Sequence, residues 1–338
     1  MENEEKAGQA PDAGMATQRQ TAAAAEAHPK PMLTVEQQIA HMKAKGITFE
    51  LVSEEEAAAY LTDRTYFFKL YAYRTLFERR VGGPRDGQYV GLDFGHLKLL
   101  ASLDRTLRYA LLPMTLDVEH FARVKLVREV TERESEDGYL VVSDHLAALN
   151  HKQRNRRTGE VGALSEDAYC GALVEKYALP GDMPLWVYLE LVSFGSFISI
   201  YLFCAERWGD RGMREEYFQL RQSKSARNAF AHSSNVINGF ANAFSAVDTN
   251  ASVMRALAEA GISHRVRSAK MRNPRLQQIA TLLYLHSQIV PEGTSRSRAQ
   301  ADIARLEIEM RAVLDALPEN DAIRSSFGFL MTLFDKWF

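Results

Sequence analysis

Cysteine is scarce in this chain of 338 residues, where only Cys170 and Cys204 occur. Two thiols supply neither a disulfide framework nor a cysteine zinc cluster. Both lie in apolar surroundings, which predicts reduced core thiols and, most simply, a cytoplasmic location. A long hydrophobic run is missing too: the most apolar stretch, Phe194 to Ala205, falls well short of the roughly 20 residues that span a bilayer. It reads as a buried helix, and no membrane role is expected. Residues 1–32 lack the apolar segment of a secretory signal. No sign of charge dominates, because the formal net charge is −2. A bulk polyanion binder is strongly basic, so any grip on nucleic acid here must come from a local patch. There is no GxxxxGK(S/T) loop, no GxGxxG, no HExxH and no paired CxxC, and Gly195 in SFGSF lacks the GxSxG setting of a serine hydrolase. These absences argue against nucleotide-hydrolysing, zinc and α/β-hydrolase chemistry, and neither a metal nor a cofactor is expected.

What is present is helical pattern. Residues 1–32 have no hydrophobic period and read as a disordered tail. Beyond them, Thr34 with Gln37 and Ser53 with Glu56 have the spacing of capping boxes, with Gly46 as a stop between the two helices. Tyr66, Phe67, Phe68, Tyr71 and Tyr73 crowd into one aromatic stretch, read as core packing rather than base stacking. A loop is expected over 81–91. A long amphipathic pattern follows from Phe94 to Arg133, with Leu97, Leu100, Leu103, Leu107 and Leu111 on one face and Pro113 expected to kink or divide it. The polar, glycine-ended segment 150–162 reads as an exposed loop and Pro180–Pro184 as a turn. One helix is expected from Trp186 to about Glu206 and another from Met213 to Ala231, with further helices in 250–288 and 300–336. Sustained two-residue alternation and internal repeats are absent, so the fold class is all-α.

The chemistry-bearing segment is Arg227, Asn228 and His232, an RN-x-x-x-H spacing. On a helix Asn228 and His232 share a face, and the long Arg227 side chain reaches round to it. A guanidinium, an amide and an imidazole at one helix end suit metal-free RNA cleavage. The imidazole moves the proton of the attacking 2′-hydroxyl or of the leaving oxygen, and the guanidinium meets the charge gathering on phosphorus-bound oxygens. Of the nine histidines, His232 alone has an arginine four to six residues before it. Taken by itself, the same set also fits an Arg and a His making ordinary surface or capping contacts.

The surrounding blocks carry a resemblance. RN-x-x-x-H has the form of the HEPN ribonuclease signature. TYFFKLYAYR (65–74), LASLDRTLR (100–108), LDVEHFARVK (116–125) and LPGDMPLWVYLELVSFGSFISIYL (179–202) resemble, in order, the conserved blocks of the Abi-like (abortive-infection, AbiD/AbiF-type) family. The chain departs from that pattern after the motif, where Ser233-Ser234-Asn235 replaces a second histidine and a downstream tryptophan is missing. The resemblance implies an all-α, HEPN-type bundle with a core over 93–240, flanked by helical regions at 33–92 and 241–338. It also implies a homodimer whose twofold brings two motifs into one metal-independent endoribonuclease cleft, in phage defence or a toxin system. Arg227, Asn228 and His232 would be catalytic, with RNA as substrate, and a regulatory RNA or an antitoxin as partner.

Glu190 matches the family's acidic position upstream of the motif and is a candidate to hold Arg227. Asp104 and Arg105 read as salt-bridging positions on a helix surface or between helices, and Glu119 with Arg123 as an i,i+4 pair. Two basic runs, Lys152, Arg154, Arg156, Arg157 and Arg265, Arg267, Lys270, Arg272, Arg275, are candidate RNA-tracking surfaces. Trp186 reads as core. Two competing readings remain open: a non-catalytic RNA-binding protein of a ribonucleoprotein, and an interaction module docking a partner through Phe327, Phe329, Leu330, Leu333 and Phe334.

Overall fold

The computed structural model describes residues 31–177, 182–241 and 249–338. The tail expected over 1–32 lies outside the described residues except for Pro31 and Met32, and so does the expected turn at 180–184 up to residue 181. Among the described residues the regular structure is helical and no strand occurs, with two isolated bridges, Thr48 to Asp93 and Arg79 to Tyr89. The fold is all-α, as the sequence predicts.

Local chemistry sets the first helices. Helix α1 (Val35–Ala44) opens on a reciprocal cap, in which the Gln37 N–H donates to Thr34 Oγ1 and the Thr34 N–H to Gln37 Oε1. Gly46 ends that region at a φ of +77°, and a Cβ there would sit 2.9 Å from Gln88 Cβ. Ser53 and Glu56 cap α2 (Glu54–Asp63) in the same way. A short α3 (Phe67–Tyr71) runs into a 3₁₀ turn, Ala72–Leu76. The aromatic stretch divides: Tyr71 and Tyr73 are buried and Phe67 is half-buried, but Tyr66 and Phe68 are exposed, contrary to the core reading.

The spine is α4 (Phe94–Thr131), 38 residues long. Asp93 caps it through Gly95 N–H and also accepts from Thr48 Oγ1 and the Glu50 N–H, tying the preceding segment to the helix start. Pro113 does not divide α4. An interior proline costs about 3 kcal/mol, but its neighbours Leu111, Met114 and Val118 are fully buried, and each such side chain contributes roughly 1.5–3 kcal/mol. Packing therefore outweighs the lost hydrogen bond.

Helix α5 (Leu140–Ala148) leads to α6 (His151–Gly162), a helix where the sequence predicts a loop. Asn150 and Gln153 form a third capping box, Val161 is buried, and the Arg154 guanidinium donates to the carbonyls of Leu146, Ala147 and Leu149. The polarity of the segment is a solvent face, not a loop signature. After α7 (Gly171–Tyr177), the single helix expected from Trp186 is two helices, α8 (Leu185–Leu191) and α9 (Phe194–Arg207). Extended Val192 breaks the run and Ser193 caps the second piece. Trp186 lies 53% exposed beside Gly138 rather than in the core. Cys204 is buried as expected, and burial pushes its thiol up to about 12, whereas Cys170 is only half-buried.

Helix α10 (Arg211–Ala231) is followed by α11 (Ala251–Glu259), α12 (His264–Met271), α13 (Pro274–Ile289), α14 (Thr294–Ala316) and α15 (Asp321–Trp337). Helices α10, α13 and α14 pack around α4, α9 covers α10, and α15 covers α13 and α14. Phe327, Phe329, Leu330, Leu333 and Phe334 are buried in that packing, so the docking face considered for them is already occupied within the chain. Among the described residues no helix is long and apolar enough to cross a membrane.

Burial holds two histidines, His145 and His286, at pKa values of about 4. His286 stays low although an Asp117 carboxylate oxygen lies 3.5 Å from Nε2. The unfolded imidazoles bind protons near 6.5, so both are neutral in either state above that pH and full stability is present there. As pH falls from 6.5 towards 4 the unfolded state alone takes up protons, and stability is lost. Each histidine should remove about 2 kcal/mol between pH 7.5 and 5. We expect His145→Leu to shrink the pH dependence of the urea unfolding free energy by that amount; an unchanged difference between the two pH values would refute the assignment.

Candidate functional site

Helix α10 turns its apolar side, Leu220, Ser223, Ala226 and Phe230, into the core. Arg227 and Asn228 stand half-buried at its shoulder, and His232 is the exposed C-cap residue. Arg227 Nη1 donates to Asn228 Oδ1 at 3.3 Å, and the His232 N–H donates to the Asn228 carbonyl at 3.0 Å. The three sequence-identified residues thus gather on one accessible helix end. The His232 imidazole makes no hydrogen bond or ion pair among the described residues.

The helix ends in a Schellman-type turn. Ser233 N–H donates to the Phe230 carbonyl and Ser234 N–H to the Ala229 carbonyl, at 3.0 and 2.8 Å. Ser233 occupies the left-handed position with φ of +55°, the sole non-glycine to do so among the described residues. Glycine takes that conformation freely, while an L side chain costs roughly 1–2 kcal/mol.

The chain that follows is fastened from three sides. Lys69 Nζ donates to the Ser233 carbonyl at 2.6 Å, and Asn235 Nδ2 donates back to the Lys69 carbonyl at 2.7 Å. Asp104 Oδ1 accepts the N–H groups of Val236 and Ile237 at 2.8 and 2.6 Å. Arg108 pairs with Asp104 and donates to the Ser234 carbonyl. From α13, Arg275 Nη1 donates to the carbonyls of Asn235 and Val236, and Asn273 Nδ2 to that of Gly239. A Cβ on Gly239 would fall 2.3 Å from the Arg275 guanidinium carbon, so a side chain there would push Arg275 from its place against the loop. Burial pushes the Asp104 carboxyl above the usual carboxylate range, against the pull of the Ile237 amide, Arg108 and the Val236 amide.

Sequence reasoning misplaces several of these groups. Asp104 is fully buried and bonds Arg108 and the loop, not the helix surface or Arg105. The i,i+4 spacing of Asp104 and Arg108 is the signal that points to the pair. Glu119 and Arg123 do pair, at 2.6 Å. Glu190 is exposed on the same side of α8 as Trp186 and makes no ion pair with Arg227 among the described residues, since α8 points Leu185, Tyr188 and Leu189 inward instead.

The basic runs split by role. Arg154 caps carbonyls, Arg157 lies 3.8 Å from Glu160, Arg267 binds the Ile262 carbonyl, Lys270 the Ser326 hydroxyl, and Arg275 the loop. Lys152, Arg156, Arg265 and Arg272 are exposed and carry no such partner among the described residues.

Removing Asp104 would strand the buried Arg108 charge and two amides. Asp104→Ala is expected to cost about 3–5 kcal/mol, read as a drop in urea unfolding free energy, and to expose 233–240 to limited proteolysis. An effect within ~0.5 kcal/mol, the scale of surface substitutions, would show that the carboxylate does not hold the loop.

A family model described as Abi-like protein matches residues 59–238, from the middle of α2 into the anchored loop. No curated protein and no solved structure shows significant similarity to the chain. The matched segment exceeds half of the sequence and contains α4, the motif and every anchor of the loop except those on α13. The chain belongs to the Abi-like family, whose name refers to abortive infection in defence against phage.

Proposed function

We propose that this protein is a HEPN-type endoribonuclease of phage defence or a toxin system, cutting RNA by attack of a ribose 2′-hydroxyl on the adjacent phosphorus. The observation that supports it most is the placement of Arg227, Asn228 and His232 together on an accessible helix end whose exit is clamped by buried polar bonds. His232 moves a proton, from the 2′-hydroxyl or to the departing 5′-oxygen. Arg227 meets the charge on the equatorial oxygens, and Asn228 holds the guanidinium through its carbonyl oxygen. The products carry a 2′,3′-cyclic phosphate and a 5′-hydroxyl, so no water is consumed in the cut. One chain offers one imidazole here, and a homodimer apposing two copies of the α10 end supplies the second proton-transfer group. A regulatory RNA or antitoxin would act by covering that end.

Because Arg227 and His232 stand outside the sealed core, replacing them separates chemistry from folding. Cleavage of a single-stranded RNA in EDTA should fall about 10²–10⁴-fold in His232→Ala and about 10²–10³-fold in Arg227→Ala, with unfolding midpoints unchanged. Equal cleavage by both variants and the parent would discard the site. RNA bound by the parent but left uncut would instead favour a non-catalytic RNA-binding protein.

A further inference from the structure

Helix α4 distributes its cations in two ways. In its second half, Arg123 pairs with Glu119, Lys125 with Glu216 and Arg128 with Glu129. In its first half, Lys98 and Arg105 have no carboxylate within 4 Å among the described residues. The same holds for Arg64 at the end of α2 and Lys69 on α3. These cations line one cleft of about 420 Å³, and no acidic side chain lines it with them. That volume lies within the usual range of ligand sites, ~300–1,000 Å³.

The cleft follows from helix geometry. Lys98, Ala101, Ser102, Arg105 and Arg108 recur at three- and four-residue steps and so form one stripe of α4. Ala101 and Ser102 are short and leave the floor open between the cations. The one acid nearby, Asp104, faces inward and is used by Arg108 and the amides of 236 and 237. Aromatic rings stand beside the charges: Tyr60 under Lys98 at 5.4 Å, and Tyr66, 64% exposed, at the rim. Burial and the nearby Arg108 guanidinium hold the Lys69 ammonium below the usual lysine range, against the opposing pull of Asp104.

The cleft also has a direction. Lys69, in its wall, bonds the carbonyl of Ser233, the residue after His232. Arg108, at its inner end, bonds the carbonyl of Ser234.

We infer that the cleft between α2, α3 and α4 is a track for single-stranded RNA, in which Arg64, Lys69, Lys98 and Arg105 bind successive phosphates, Tyr66 stacks a base, and the strand is led to His232. The polymer as ligand rests on the ribonuclease reading above; the anion site itself rests on the uncompensated cations. A base offers a π-face to Tyr66 only when it is unpaired, which favours a single strand over a duplex. Arg108, already matched to Asp104, positions the wall.

The test uses the full-length His232→Ala protein, so that the probe, a fluorescein-labelled single-stranded RNA, stays intact. Adding Lys98→Glu and Arg105→Glu should weaken binding at least ten-fold and flatten the dependence of log K on log salt by about 0.7 for each phosphate no longer neutralised. Tyr66→Ala should weaken single-strand binding about ten-fold while leaving duplex binding unchanged. Lys152→Glu with Arg156→Glu, on exposed α6, serves as the charge-matched control and should have the smaller effect. Equal effects of the two charge pairs, an unchanged affinity in the cleft variant, or tighter binding of a mononucleotide than of the RNA would each overturn the track. Binding does not require His232, so loss of the cleavage reading alone, seen as RNA bound but left uncut by the parent protein, leaves this measurement decisive.

Discussion

A carboxylate sealed from water is tolerable only when its charge is matched and its oxygens are hydrogen-bonded. That requirement, met at Asp104, governs the geometry around residue 232. Its partners come from three segments: Arg108 one turn along α4, Tyr73 on the 3₁₀ turn, and the amides of Val236 and Ile237 beyond α10. Tyr73 and the two amides lie far from it in sequence, so the carboxylate is fully satisfied only when the segments have converged. The apolar face of α4, with Leu100, Leu103, Leu107 and Leu111 buried, fixes the rotation of the helix. Rotation aims Asp104, Asp104 fixes the loop, and the loop fixes the exit of the chain from His232.

The same balance explains how a serine is kept in the left-handed position at 233. Its conformation costs roughly 1–2 kcal/mol. Against that stand two Schellman hydrogen bonds, at about 1 kcal/mol each, and one bond from the Lys69 ammonium, at roughly 1.5–3 kcal/mol. The bonds exceed the cost. The groups that perform this service, Lys69, Asp104, Arg108 and Arg275, are buried or half-buried, while His232 beside them is exposed. Stability and reactivity are therefore assigned to different side chains on the same few residues of chain.

What the sequence discloses follows from the range of each interaction. Thr34 with Gln37 and Ser53 with Glu56 are readable because a capping box closes within four residues. Asn150 with Gln153 is the same device, yet the polarity of the surrounding segment points to a loop until Val161 is seen to be buried. The break at Val192 is announced only by Ser193 and Ser196, inside a run apolar enough to pass for one helix. The RN-x-x-x-H spacing is local, so the gathering of Arg227, Asn228 and His232 is legible. The anchoring of the loop is not, because Asp104 meets Val236 across 132 positions. Burial is likewise a property of the assembled bundle, which is why Trp186, Tyr66 and Phe68 turn outward despite their apolar rings, and why Arg267, Lys270 and Arg275 serve the fold despite lying in a basic run.

Net charge conceals the same distinction. A total of −2 suggests a surface without preference for polyanions, but attraction depends on where each acid is used. Glu119, Glu129 and Glu216 neutralise the second half of α4, and Asp117 is shared by His286 and Arg298. Those pairings draw carboxylates away from the first half of α4, whose Lys98 and Arg105 then face solvent unopposed. Screening limits the reach of exposed charge to about 8 Å at physiological salt, so distant acids do little to cancel a local cluster. A nearly neutral chain can thus present a strongly positive cleft, and it does so where the backbone beyond His232 is bound to the cleft wall.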